Sequence, residues 1–143
     1  MIYLRETLIN IKTVQLDFAS KKEDVIELVT EGVFYEEGDF SILSYDESEI
    51  SGMKGTKTTL MIKEGFVSMK KNGSNTSLME FEKGKRYKSS YKTPYGDMSM
   101  EILTKDVSIS KAINPFNIEI NIEYEIIVKG FFEGKNKMHI MVS

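Results

Sequence analysis

Apolar residues recur at every second position along most of this chain, a period that belongs to strands with one buried face. The cleanest run is Phe116, Ile118, Ile120, Ile122, Tyr124, Ile126 and Val128, with Asn117, Glu119, Asn121, Glu123 and Glu125 between them. One face is core and the other is solvent. At about 3.4 Å per residue such a strand spans about 44 Å, too long to stay flat in a small domain, so it must coil around a barrel or a strongly bent sheet. Upstream, Pro94-Tyr95-Gly96 supplies the sharpest turn signal in the chain. After that corner Met98, Met100 and Ile102 share one face and Ser99 and Glu101 the other, which predicts the start of a long strand.

The remaining segments repeat the theme. Residues 2–18 alternate but change phase, from Leu4 and Leu8 to Ile9 and Ile11 and back to Val14 and Leu16, which predicts a β-bulge. A polar turn at Ser20–Asp24 leads to a strand over residues 25–36, where Gly32 marks a bend or a close backbone approach. A helical turn or two within Ser20–Val29 is the minor alternative. Gly38-Asp39 and Asn72-Gly73 read as hairpin turns. Asp46–Gly55 reads as the longest loop, and further strands fall at Phe40–Tyr45, Thr56–Lys63, Phe66–Met69, Ser77–Glu82 and Arg86–Thr93. A second phase change predicts a bulge near Leu103–Asp106, and Asn114-Pro115 a turn. Met138, Ile140 and Val142 mark a closing strand. The fold class is therefore all-β: one antiparallel up-and-down barrel of about eight to ten strands filling residues 1–143, with a two-sheet sandwich as the alternative.

Composition narrows the function classes. The chain has 143 residues, 41% hydrophobic and 29% charged, enough for one domain with its own core. Its formal net charge of -3 gives no general pull towards nucleic acid or an anionic membrane, so neither partner is expected. There are no cysteines, which removes disulfides, thiolate metal sites and cysteine nucleophiles. Met1-Ile-Tyr-Leu-Arg-Glu6 enters strand-like alternation directly, and no apolar run reaches the roughly 20 residues of a spanning helix. A reducing, cytoplasmic address is the expectation.

Catalytic material is scarce. His139, the only histidine, is out of phase with Met138, Ile140 and Val142 and should face solvent. The acidic pairs Glu36-Glu37 and Asp46-Glu47 are adjacent on strands, so each points its carboxylates to opposite faces. Glu47 follows Tyr45 at a two-residue spacing and can share its face, although a solvated loop-edge carboxylate is the blander reading. The glycines assemble no phosphate-binding loop, and Lys83-Gly-Lys-Arg86 reads as a solvated turn. Tyr45, Tyr87, Tyr91 and Tyr95 would cluster with Arg86 if the segments flanking the Pro-Tyr-Gly corner pair with the strand of the 40s. Such tyrosines suit a barrel rim or a pocket equally, and the nine methionines suit an irregular cavity.

Ser44-Tyr-Asp-Glu47, Gly55-Thr-Lys-Thr58 before an apolar strand, Lys71-Asn-Gly73, Met79, Phe81, Gly84, Tyr91-Lys-Thr-Pro-Tyr-Gly96, Met98, Met100 and Thr104 follow one another in order. In this the chain resembles the YwiB-like family of small bacterial proteins, a family of unknown function with a lipocalin-like (calycin) β-barrel. The resemblance implies a barrel with an internal cavity and brings no reaction or catalytic residue. The lipocalin Gly-x-Trp signature is missing, since the chain has no tryptophan, and the tail Lys137–Ser143 lacks the Arg-x-Tyr grip of fatty-acid-binding barrels.

The leading expectation is non-catalytic binding of a small amphipathic or hydrophobic molecule, with Tyr45, Glu47, Thr58, Arg86, Tyr91, Tyr95 and Met98 as candidate ligand-binding residues. No cofactor, metal ligand or catalytic residue is assigned. The alternative is a solid barrel serving as a protein-interaction or homodimerisation module, contacting through Asp46–Gly55 or the C-terminal strand. A minor reading makes Glu47 a catalyst, with Tyr45 and Tyr91 handling protons.

Overall fold

The computed structural model describes residues 4–47, 55–74 and 76–143. Ten strands follow in order: β1 (Arg5–Asp17), β2 (Glu23–Glu37), β3 (Phe40–Asp46), β4 (Thr56–Lys63), β5 (Phe66–Gly73), β6 (Ser77–Glu82), β7 (Arg86–Thr93), β8 (Gly96–Ile113), β9 (Phe116–Val128) and β10 (Phe132–Val142). Among the described residues there is no helix, so Ser20–Val29 is a turn and the start of β2. All ten strands belong to one antiparallel sheet in the order β6-β5-β4-β3-β2-β1-β10-β9-β8-β7. Each neighbour is also a neighbour in sequence, except that β1 pairs with β10 from Ile9↔Val142 to Asp17↔Gly134. Rolled round, the meander makes a nearly closed up-and-down barrel.

Closure between β6 and β7 is incomplete. Among the described residues one bridge joins the two sides, Thr76↔Lys92, just before β6 begins, and its two backbone N–H···O bonds measure 2.9 and 2.8 Å. Beyond it β7 pairs only with β8, from Arg86↔Leu103 to Thr93↔Gly96, turning at Pro94-Tyr95. β8 is the longest strand, 18 residues, and its register against β9 slips between Thr104 and Asp106, the bulge expected from the phase change there.

The bulge expected in β1 is absent. Its register with β2 runs unbroken from Arg5↔Phe34 to Leu16↔Glu23. Thr7, Ile9 and Ile11 point inward, while Leu8 on the outer face is 50% exposed. The phase change therefore records apolar residues on both faces of a regular strand. The last pair between β5 and β6 is Lys71↔Ser77, so Asn72-Gly73 opens the connection between them as expected, although Gly73 still pairs with Thr56 of β4.

Inside, Ile9, Leu43, Leu60, Val67, Phe81, Ile102, Ile120, Ile140 and Val142 are fully buried in one continuous cluster. Their in-phase alternation on eight strands is what makes the interior apolar. Gly32 stands where β2, still paired with β1, begins to pair with β3 as well, and the approach is close: a Cβ there would lie 2.4 Å from Ile9 Cδ1 and 2.7 Å from the Ser44 carbonyl oxygen. β3 pairs with β2 only over Val33–Glu37. Residues 23–32 thus have β1 on one side and, among the described residues, no strand on the other. The C-terminal strand β10, by contrast, lies between β1 and β9 and offers no free edge for a partner.

Gly32→Ala is expected to lower stability by about 1–3 kcal/mol through overpacking against backbone that cannot yield. Gly38→Ala, with open space around its Cβ and only a φ of +59° to strain it, should cost about 1 kcal/mol. Urea titrations of the two variants decide the point, and an equal or smaller loss at Gly32 would show that the close approach does not constrain this position.

Candidate functional site

The core does not fill the barrel. At the end where β5 and β9 finish and β6 and β10 begin, a cavity of about 320 Å³ opens. Its walls are apolar: Met79, Met98, Met100, Ile126, Val128, Phe131 and Phe132. Five polar side chains interrupt them, Gln15, Lys71, Ser77, Tyr91 and Asn136. Asn136 Nδ2 donates to the Tyr124 hydroxyl at 3.1 Å, while its buried Oδ1 has no partner among the described residues. Tyr124 packs its ring at 4.7 Å against Phe81, so the cavity wall continues directly into the core.

Behind Lys71 lies a polar cluster that the strand period dictates. Leu43, Tyr45 and Glu47 are in phase, as are Thr56, Thr58 and Leu60 on β4 and Val67, Met69 and Lys71 on β5. The alternation that buries the aliphatic residues therefore carries Glu47, Thr58 and Lys71 inward with them. Lys71 Nζ donates to Glu47 Oε1 at 2.7 Å and to Thr58 Oγ1 at 3.3 Å, and Thr58 Oγ1 donates to the same Glu47 oxygen at 2.7 Å. The Glu47 side chain is 2% exposed and that of Lys71 11%. Buried charges need such direct pairing and hydrogen bonding. Tyr45 lies within hydrogen-bonding reach of Glu47 and Thr58; burial, and then the negative charge of Glu47, pushes its hydroxyl well above the usual phenol range.

The residues singled out in the sequence divide into three groups. Tyr45, Glu47 and Thr58 converge on this cluster, so Glu47 is no solvated loop-edge carboxylate. Tyr91 and Met98 line the cavity itself. Arg86 and Tyr95 lie elsewhere: Arg86 pairs with Glu101 across β7 and β8, and Tyr95 is 99% exposed at the turn. The tyrosine cluster does not form, because β3 pairs with β2 and β4 and never with β7 or β8. His139 faces outward, 3.2 Å from Glu119. Most of the Asp46–Gly55 loop, residues 48–54, is outside the described residues.

Lys71 and Asn136 are the functional candidates that reading by motif passed over. Lys71 was masked by the Asn72-Gly73 turn signal, yet its phase with Val67 and Met69 marks it as inward-facing. Among the described residues no group of three or more metal-binding side chains forms.

The molecule is thus a nearly closed ten-stranded antiparallel barrel with an apolar cavity at one end and a buried ion pair beside it. The model of the family described as "Domain of unknown function (DUF1934)" matches residues 9–140, and the chain belongs to that family. Its fold is similar to the crystal structure of ywiB protein from Bacillus subtilis, with a TM-score of 0.86 at 23% identity, covering 98% of this chain and 92% of that one. The YwiB-like resemblance read from the sequence is borne out. No curated protein matches the chain's sequence. Among the described residues no helix is long and apolar enough to cross a membrane.

Two outcomes follow from the buried groups. Lys71→Met, which deprives the Glu47 carboxylate of its ammonium, is expected to cost about 3–5 kcal/mol in urea titration, and adding Glu47→Gln should recover most of it. A double variant as unstable as the single one would show that the charges themselves are not what Lys71 stabilises. Burial also raises the Tyr124 hydroxyl above its ordinary value. Tyr45 and Tyr124 therefore keep their protons when folded at pH values where an unfolded chain, with tyrosines near 10, has begun to lose them. Stability is full below about pH 10 and falls as pH rises towards the folded values. Tyrosinate absorbance should show these two titrating only as the barrel unfolds, and Tyr45→Phe should weaken the alkaline loss.

Proposed function

We propose that the barrel binds a small amphipathic or hydrophobic molecule in this cavity, and that it does so without catalysis. The observation that carries the reading is the cavity itself: about 320 Å³, walled by methionine, isoleucine, valine and phenylalanine, with a few polar groups among them. Ligand pockets have this composition, and the volume lies at the small end of their range of about 300–1,000 Å³. Methionine suits such a lining because its unbranched, polarizable side chain adapts to ligand shape. Tyr91 and Met98 line the site, and Tyr45, Glu47 and Thr58 contribute indirectly, by holding Lys71 at the wall. The minor catalytic reading loses support, since Tyr91 lines the cavity and Glu47 is engaged by Lys71.

A second reading rests on the uncovered edge of β2. Among the described residues no strand covers residues 23–32 on the side away from β1, which leaves that edge to β-augmentation, and Val25, Ile26 and Val29 beside it are 55%, 52% and 59% exposed. Homodimerisation through this edge is compatible with an occupied cavity.

Native mass spectrometry of protein purified under mild conditions, before and after denaturation, tests the first reading. The expected result is a small-molecule mass that departs on unfolding, together with displacement of an apolar dye by that molecule. Met98→Trp, which fills the cavity, should reduce dye affinity by roughly tenfold, equivalent to about 1.4 kcal/mol. A bare chain that takes up no dye would sink the binding reading, and a dimer mass in the same spectrum would favour the β2 edge.

A further inference from the structure

We infer that the cavity selects uncharged amphiphiles carrying a hydroxyl or amide head, and that Glu47 is the residue that excludes acids. The inference rests on the binding reading above and deepens it. Lys71 is the one cationic side chain among the described residues lining the cavity. In a carboxylate carrier, such a lysine would be the natural counter-ion for the ligand. Here its ammonium is already held 2.7 Å from Glu47 Oε1, in a pair whose side chains are 2% and 11% exposed. The barrel supplies its own carboxylate.

An acid entering the cavity would bring a second negative charge to a site where the positive one is taken. Against these apolar walls that charge finds no free counter-ion, so its ionised form is favoured in solvent and its protonated form in the cavity. A neutral head meets no such penalty. Gln15, Ser77, Tyr91 and Asn136 are uncharged groups that give and take hydrogen bonds, and they stand among the same apolar walls. Thr58 holds the arrangement from behind by donating to Glu47 and accepting from Lys71, so the lysine does not swing freely towards a ligand.

The test compares 1-octanol with octanoate at neutral pH, by displacement of an apolar dye, in the wild type and in Glu47→Gln. Octanoate is intrinsically less apolar, so the informative quantity is the change in the octanol-to-octanoate affinity ratio between the two proteins. The wild type should favour octanol, and Glu47→Gln, which frees the ammonium, should move the ratio at least about tenfold towards octanoate, the scale of one charge-assisted hydrogen bond. Should Glu47→Gln not fold alone, octanoate but not octanol should restore its folding by replacing the missing carboxylate. An unchanged ratio, tighter octanoate binding by the wild type, dye uptake with neither probe competing, or rescue by neither probe would each overturn the role of Glu47 while leaving a ligand cavity in place. Failure of dye, octanol and octanoate alike to bind the wild type would overturn the binding reading and this inference together.

Discussion

The pairing of β1 with β10 is the constraint on which the rest of the structure depends. A meander of ten strands is by itself an open sheet with two long edges, each a row of unpaired donors and acceptors. Joining the first strand to the last, over the register Ile9↔Val142 to Asp17↔Gly134, moves the open edges to β6 and β7. It also sets Ile9 opposite Val142 and Ile11 opposite Ile140, where the inner faces of two chain-distant strands complete one core. The weakness displaced from the termini reappears at the β6–β7 seam, closed among the described residues by the one bridge Thr76↔Lys92. Ser77, Met79 and Tyr91, from the two strands of that seam, line the cavity. The site lies where the barrel is least completely closed.

The same logic explains why charge is found inside. Period-2 alternation assigns residues to faces without regard to their chemistry, so a strand that must continue inward past its apolar positions brings in whatever comes next. At the ends of β4 and β5 the next inward residues are Thr58 and Lys71, and just beyond β3 it is Glu47. Three inward polar residues from neighbouring segments satisfy one another, and the pairs Tyr45↔Thr58 and Thr58↔Lys71 bring them level across the sheet. The cluster is therefore a product of register as much as of composition. A one-residue slip of β5 would turn Lys71 outward and leave Glu47 buried without its cation.

Much of the fold was legible in the sequence because period-2 patterning is a local signal. The strands over residues 116–128 and 138–142, the Pro94-Tyr95 turn and the bulge near Thr104 all follow from it. What was not legible depends on both faces of a strand or on pairing at a distance. The phase change in β1 mimicked a bulge because Leu8, Val14 and Leu16 decorate the outer face of a regular strand. The site was half legible. Tyr45 and Glu47 at a two-residue spacing gave one wall of the polar cluster, but Lys71 was hidden by an adjacent turn signal, although its own phase pointed inward. Arg86 and Tyr95 were drawn in by a pairing of β3 with the corner that the topology does not make, and no local pattern encodes which strands will be neighbours.

A buried ion pair is a weak device for stability, since well-packed apolar residues of similar volume serve as well or better in many proteins. The neighbourhood of Glu47 and Lys71 is otherwise that of a core: Leu60, Met69 and Met79 lie on the same and adjoining strands and are nearly fully buried. An aliphatic pair would continue that core without the cost of desolvating two charges. What an aliphatic pair would not provide is a fixed charge arrangement at the wall of an apolar cavity, with the lysine held by two oxygens. On the binding reading proposed above, the pair makes better sense as an element of recognition than of stability. Its position at the boundary between filled core and open cavity, beside the seam between β6 and β7, is where recognition would be needed.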